Sequence, residues 1–257
     1  MIYGKKCSVI DNNMISMKIR HFFTNMICGL IYNHDARKRV RAALNSPLIP
    51  LLKFIKKDSG IKHPKYKIIT GFRGRNLLIQ VNDKYIYKYP SKTSDFAPDI
   101  EKREYDITSE LSKISPIYIP VPTLFEFNNK ILRRYDVVHG ISLRELIKNK
   151  KIYDEYKKYL AHQVAYFLYK IALSDPKSIQ KYKNNKNDKP KILYGWHHCD
   201  ILDNFMIDEK TFKITSFIDW EEVAFGDLSH IFIDKNPILN NFMQNVKDEY
   251  IKMYKSI

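Results

Sequence analysis

Tyr194-Gly195-Trp196-His197-His198-Cys199-Asp200-Ile201-Leu202-Asp203-Asn204-Phe205-Met206-Ile207-Asp208, and then Ile214-Thr215-Ser216-Phe217-Ile218-Asp219-Trp220-Glu221, is the stretch whose reading decides the fold. Two short strands are expected, at Phe205 to Ile207 and at Lys213 to Ile218, with carboxylates and one amide gathered around them. Phosphoryl transfer needs this combination. One Asp must orient the attacking hydroxyl and accept its proton, while an Asn and a second Asp supply oxygen ligands to a magnesium ion on the nucleotide phosphates.

Upstream, the texture between Tyr66 and Tyr89 is alternating, and it predicts three strands: Tyr66-Lys67-Ile68-Ile69, Asn76 to Val81, and Asp83 to Tyr89. Gly71 and Gly74 punctuate the first turn, and Asn82-Asp83 the second. A helix is expected over Ile100 to Ile114, broken by Pro116, Pro120 and Pro122, and a strand pair over Thr123 to Phe127 and Lys130 to Val138. Ser142 suits the cap of a helix over Leu143 to Lys148, and Tyr153 to Leu173 carries a long helical pattern. The polar run Ser174 to Pro190 reads as a long loop, and the C-terminus as helical.

With these elements in order, the chain resembles the aminoglycoside phosphotransferase and choline kinase branch of the protein-kinase-like superfamily. That family carries a His-x-Asp catalytic loop, then an Asn, a hairpin, and an Ile-Asp-Trp or Ile-Asp-Phe metal motif. By position His198 resembles the loop histidine, Asp200 the catalytic base, and Asn204 and Asp219 the magnesium ligands; Phe225-Gly226-Asp227-Leu228 resembles the aromatic-Gly-Asp segment. Gly71-Phe72-Arg73-Gly74-Arg75-Asn76 occupies the place of the phosphate-covering loop, with Gly74 in its backbone. Lys88 resembles the third-strand lysine on the nucleotide phosphates and Glu104 its helix partner. Arg134-Tyr135-Asp136-Val137-Val138-His139-Gly140 resembles the hinge that meets adenine through the backbone of Asp136 and Val138.

The resemblance spans about residues 66 to 232. It implies an α+β, bilobal protein-kinase-like fold: an N-lobe of antiparallel sheet plus helix over 66–138, a mainly helical C-lobe over 139–257, and a helical extension over 1–65. It also implies ATP and Mg2+ as cofactors and a phosphotransferase acting on an alcohol group of a small molecule or glycan. Protein substrates are not expected, because the chain has no Asp-Phe-Gly and no Ala-Pro-Glu. The family usually places five steps between the catalytic Asp and the Asn, whereas Asp200 to Asn204 is four. Either the loop is rebuilt with Asn204 still reaching the metal, or Asp203 supplies that ligand, or the enzyme is impaired.

Composition narrows the partners. Hydrophobic residues make up 44% of the 257, enough for a sizeable core. Cys7, Cys28 and Cys199 are too few and too scattered for a disulfide framework or a zinc ribbon, which favours a reducing, cytoplasmic setting. The formal charge is +16, and residues 1–65 hold 13 Lys and Arg against 3 Asp, or +10. Apolar residues recur there at helical spacing from Met14 to about Leu52. Two readings of that stretch stand side by side: helices lying peripherally in an anionic membrane surface, or a packed helical extension with solvated charges.

Phe22 to Tyr32 with Arg37 to Arg41 also resembles basic segments of bacterial surface-polysaccharide enzymes. The expected acceptor is therefore a sugar of a surface polysaccharide or lipopolysaccharide. An aminoglycoside antibiotic is the alternative, and a catalytically inactive kinase-like binding module a third reading. Nucleic acid is not the expected partner, since no recognised motif for it is present. Asp227 reads as a structural anchor bonding the catalytic-loop backbone, and His197 and His230 as packed or hydrogen-bonded side chains, since no metal-site spacing joins them.

Overall fold

The computed structural model describes residues 47–70, 76–90, 99–149, 152–183 and 192–256, with a few single positions between 26 and 40. Gly74, with the rest of 71–75, lies outside the described residues, as does nearly all of the basic stretch before residue 47. The chain forms two compact units, one drawn from Met1–Ala97 and Thr123–Val137, the other from Pro98–Pro122 and Val138–Ile257.

The first unit is an antiparallel sheet with a helix on one face. Strands β1 (Tyr66–Thr70), β2 (Asn76–Val81), β3 (Tyr85–Pro90), β4 (Thr123–Phe127) and β5 (Lys130–Asp136) lie in the order β1-β2-β3-β5-β4. The period of two is plain in β2, where Leu77, Ile79 and Val81 are buried and the residues between them are not fully so. Helix α1 (Leu48–Ser59) buries Leu51 and Ile55, one helical turn apart, in the same core as those three residues, Tyr87, Tyr89 and Leu132. It stops at Gly60, which takes the left-handed conformation that residues with a Cβ rarely adopt. Asp58, in the last turn of α1, accepts from the Tyr87 hydroxyl at 2.6 Å and from Arg134 Nη1 at 2.8 Å, fixing helix to sheet. The end of the basic stretch is thus a core helix, with its apolar face covered by the sheet.

The second unit is built around α4 (Asp154–Ala172), whose Leu160, Val164, Phe167, Leu168 and Ile171 are buried, and α6 (Pro237–Lys255), which packs along it. Asn236 caps α6, accepting from the backbone of Ile238 and Leu239, with Pro237 in the first helical position. Helix α2 (Ile100–Leu111) belongs to this unit. Polar links hold it there: Arg103 Nη2 donates to the Val223 carbonyl at 2.6 Å, and Asp106 accepts from Lys181 Nζ and the Tyr182 hydroxyl. Those last two residues lie in a 3-10 turn, Lys177–Tyr182, with Ile179 buried, so part of the run expected to be loop is an ordered support for α2.

Two short sheets complete the unit. Strand β6 (Ile141–Ser142) leads into α3 (Leu143–Asn149) and pairs with β8 (Phe205–Asp208), which pairs with β9 (Lys213–Phe217). Strand β7 (Tyr194–His198) pairs antiparallel with β10 (Val223–Asp227), and the single turn α5 (Ile201–Asn204) joins β7 to β8. Among the described residues no helix is long and apolar enough to cross a membrane.

Gly195 is where β7 crosses the end of α4. A Cβ there would sit 2.3 Å from the Ala172 carbonyl oxygen, at a φ of +159°. Gly226, its partner across the β7–β10 pair, has space, the first contact being His197 Cε1 at 3.8 Å. Gly195→Ala should therefore cost at least about 2 kcal/mol and lower the thermal midpoint by roughly 4–8 °C, while Gly226→Ala should leave it within about 2 °C. Melting curves followed by circular dichroism check both, and equal midpoints would remove the close approach as a determinant of the fold.

Candidate active site

The site grows from the link between β7 and the β8–β9 hairpin. Phe205 opens β8 opposite Phe217, which closes β9, and the pairing runs one step further: the Ile218 N–H donates to the Asn204 carbonyl at 3.0 Å. Asn204 and the Ile218-Asp219 step therefore share the open end of one hairpin. Beneath it Phe205, Phe217, Trp220 and Phe167 pack edge to face, with Phe205–Phe217 and Phe217–Trp220 centroids 4.7 and 5.0 Å apart. Trp220 Nε1 donates to the Phe217 carbonyl at 3.0 Å and closes the turn in which Asp219 takes a left-handed backbone, φ 61° and ψ 61°. That region is sparsely used by residues with a Cβ, although Asp tolerates it better than most.

The loop residues are held by His198. The Asp200 N–H donates to His198 Nδ1 at 3.1 Å, and the Asp200 carbonyl lies at the same distance from that nitrogen. Burial holds this imidazole below its ordinary pKa, opposed first by the charge of Asp219, and keeps it neutral. The Asn204 amide nitrogen donates to the Asp200 carbonyl at 2.7 Å and lies 3.4 Å from His198 Nδ1. Its orientation is thereby fixed, and among the described residues no hydrogen bond occupies the amide oxygen of this buried side chain. An amide oxygen and the Asp219 carboxylate are hard donors of the kind magnesium takes, so the residues present fit that ion.

Asp200 itself is half-exposed. Its carboxyl is pushed up to about 6, first by loss of hydration, then by the charge of Asp203 and a hydrogen bond to it, with Arg144 opposing and Glu222 adding to the rise. Arg144 and Asp234 are residues that the sequence analysis did not place here. The pairing of Ser142 with Met206 carries Arg144, two residues further on, alongside Asn204. Arg144 Nε donates to Asp203 Oδ2 at 2.8 Å, Nη1 to Asp234 Oδ2 at 3.1 Å, and Nη2 stands 3.9 Å from Asp200 Oδ1. Asp234 is set by the start of α6, where its Oδ1 accepts from the Asn236 N–H at 2.8 Å. No spacing signal in the sequence joins 144, 203 and 234; the β6–β8 pairing brings Arg144 to Asp203, and the start of α6 sets Asp234.

The remaining expected residues are placed as follows. Lys88 is buried in β3 of the first unit, opposite Leu78 and Arg133, and Glu104 is buried on α2 of the second; neither stands without a partner. Asp136 ends β5. The next residue, Val137, donates its N–H to the Lys84 carbonyl at 2.9 Å, so Asp136 turns its own backbone groups away from β3, beyond the point where β4 begins at Thr123. Val138 follows, half-buried. Asp227 Oδ1 accepts from the Ser229 N–H at 2.7 Å and turns the chain after β10.

The two units have the fold of the protein-kinase-like small-molecule phosphotransferases. Wild-type aminoglycoside 2'-phosphotransferase-IIIa, solved with GDP, is 15% identical over 80% of this chain and 83% of that one, with a TM-score of 0.65. The streptomycin-ATP-APH(2")-IIa ternary complex is 14% identical over 78% and 83%, with a TM-score of 0.57. Macrolide 2'-phosphotransferase MphH from Brachybacterium faecium, an apoenzyme, is 11% identical over 80% and 88%, at 0.50. At these identities the likeness is one of fold. No protein-family model and no curated protein sequence matches the chain.

The Asp200–Asp203 pair makes its own prediction. In the metal-free, nucleotide-free chain, a carboxyl NMR titration should show an Asp200 midpoint near 6. Asp203→Asn removes a like charge and should lower the midpoint; Arg144→Met removes the opposing cation and should raise it. Midpoints that both variants leave in place would mean that the three groups do not interact.

Proposed function

We propose that this chain is an ATP- and magnesium-dependent phosphotransferase whose acceptor is a hydroxyl of a small cationic molecule, an amino sugar of the aminoglycoside type. The observation that carries this reading is Asp200, half-exposed on a loop that one hairpin holds together with Asn204 and Asp219, inside a cluster of carboxylates. Asp200, Asp203 and Asp234 face one guanidinium, that of Arg144, and the charge of Glu222 also acts on Asp200, so the surroundings of Asp200 are acidic in a chain of formal charge +16. Such a patch suits ammonium groups. Neighbours of the same fold were solved with streptomycin and ATP, and with GDP and kanamycin, which supports both the nucleotide and the acceptor class.

In this reading Asp200 orients the acceptor hydroxyl and takes its proton, and a carboxyl titrating near 6 is ionised at neutral pH while still a useful base. Asn204 and Asp219 hold magnesium, which when bound neutralises phosphate charge. The nucleotide-binding roles of Lys88, Glu104 and Gly74, and of the backbone at Asp136 and Val138, are carried over as the resemblance implies them, each residue by itself. A surface-polysaccharide or lipopolysaccharide acceptor drew on a membrane-facing stripe in residues 1–65. The described end of that stripe, α1, has its apolar face covered by the sheet, and the acidic surroundings of Asp200 disfavour an anionic sugar.

Asp200→Asn should keep nucleotide affinity and lower kcat by about 10²–10⁴-fold, with a smaller loss in Asp203→Asn. Asp219→Ala should lose magnesium-dependent ATP binding in calorimetry. With labelled ATP, kanamycin or gentamicin should gain one phosphate by mass spectrometry, ahead of a macrolide and of a lipopolysaccharide core sugar. Phosphate transfer to the core sugar alone would overturn the acceptor class; near-normal turnover in Asp200→Asn would overturn the base.

A further inference from the structure

The fold gathers three side chains that the proposed phosphotransfer does not use. His197 is buried on β7, Cys199 lies one residue past the end of that strand, and His230 is on the 3-10 turn Ser229–Phe232 that follows β10. Because β10 runs antiparallel to β7 and ends opposite Tyr194, the turn after it leads the chain back along β7 toward its other end. One ligand atom from each of the three residues then lies within 4.8 Å of the other two, and Cys199 Sγ is 3.9 Å from His230 Nε2. The imidazole planes of His197 and His230 stand at 74°, with centroids 5.0 Å apart.

His197 also has a ring nitrogen left to coordinate. Its Nδ1 is 3.1 Å from the Gly195 carbonyl, an acceptor, so Nδ1 carries the proton and Nε2 keeps its lone pair. A carbonyl on the distal nitrogen is the usual partner that sets the tautomer of a metal-binding imidazole. Two imidazoles and a thiol form a borderline-soft donor set, suited to zinc and unsuited to magnesium, whose candidate ligands on Asn204 and Asp219 are oxygens.

We propose that His197, Cys199 and His230 form a three-ligand site for zinc, with water completing a tetrahedron. Zinc distances of about 2.0–2.1 Å to nitrogen and 2.3 Å to sulfur put tetrahedral ligands roughly 3.3–3.6 Å apart, so the side chains close by little more than about 1 Å. Cys199 immediately precedes Asp200. Metal binding therefore ties the Asp200 loop to the turn after β10 and couples the loop to zinc supply.

The test uses the full chain under reducing conditions, stripped with chelator, without nucleotide, and titrated with Co2+ alone. The expected result is one equivalent bound, with a thiolate-to-cobalt charge-transfer band in the near ultraviolet and the visible bands of a tetrahedral ion, all displaced by one equivalent of Zn2+. Cys199→Ser should abolish the charge-transfer band, and His230→Ala should weaken binding at least about 10-fold; both positions are exposed. A wild-type chain without the band, or a band that survives in both variants and so belongs to Cys7 or Cys28, overturns the site. Neither result depends on the phosphotransferase reading, which is tested by turnover.

Discussion

The hydrogen bond from the Ile218 N–H to the Asn204 carbonyl is the constraint on which the candidate site depends. It adds a rung to the β8–β9 hairpin beyond the last paired residues and so fixes Asp219 relative to Asn204. The Asn204 amide then reaches back to the Asp200 carbonyl, and three polar positions share one frame of reference. That frame is stiff because of what lies under it. Phe167 from α4 wedges against Phe205, Phe217 and Trp220, and its edge-to-face pairs with Phe205 and Trp220 each contribute about 0.5–1.5 kcal/mol beyond their buried area. The aromatic cluster therefore serves the site by holding the hairpin to the central helix, although none of its rings carries the chemistry.

The same frame explains the electrostatics. A chain with an excess of lysine and arginine keeps several carboxylates around Asp200, and one of those cations, Arg144, is folded in among them. Its guanidinium spreads over Asp203 and Asp234 at hydrogen-bonding distance and over Asp200 only at 3.9 Å. The fork thus stabilises the two flanking carboxylates more than it stabilises the anion of Asp200, which keeps the raised pKa that burial and Asp203 impose. An incoming ammonium would meet carboxylates already positioned by Arg144, and the site need not collapse when no cation is bound.

What the sequence disclosed follows from where periodicity carries information. Among β1, β2 and β3, alternation in burial is plain only in β2, since β3 is buried at the three successive positions Tyr87, Lys88 and Tyr89; the Phe205-to-Asp219 stretch was legible because the hairpin and its polar residues are contiguous. Strands β6 and β10 went unread, one too short for a pattern and the other containing Gly226. With them went Arg144, Asp234 and the His197–Cys199–His230 cluster, each assembled by a pairing of distant segments. Helix α1 shows a different limit: Leu51 and Ile55 mark an apolar face, but spacing cannot say whether lipid or a sheet covers it. Helix α2 was read correctly as a helix and expected to belong with the strands around it in sequence, yet Arg103 and Asp106 tie it to β10 and to the 177–182 turn.

The short spacing between Asp200 and Asn204 finds its physical answer in α5. Residues 201–204 make one helical turn, and a helix points the donor of residue i toward the carbonyl of residue i−4. Asn204 stands in that relation to Asp200, and its side-chain nitrogen donates to that carbonyl at 2.7 Å. The helical turn therefore takes up the missing residue by letting the side chain follow the direction the backbone bonds already have. Its amide oxygen is left facing away from both acceptors, while Asp203, the other nearby oxygen donor, is drawn off by Arg144. With four steps between the two residues, the single helical turn is what keeps the Asn204 amide anchored to Asp200.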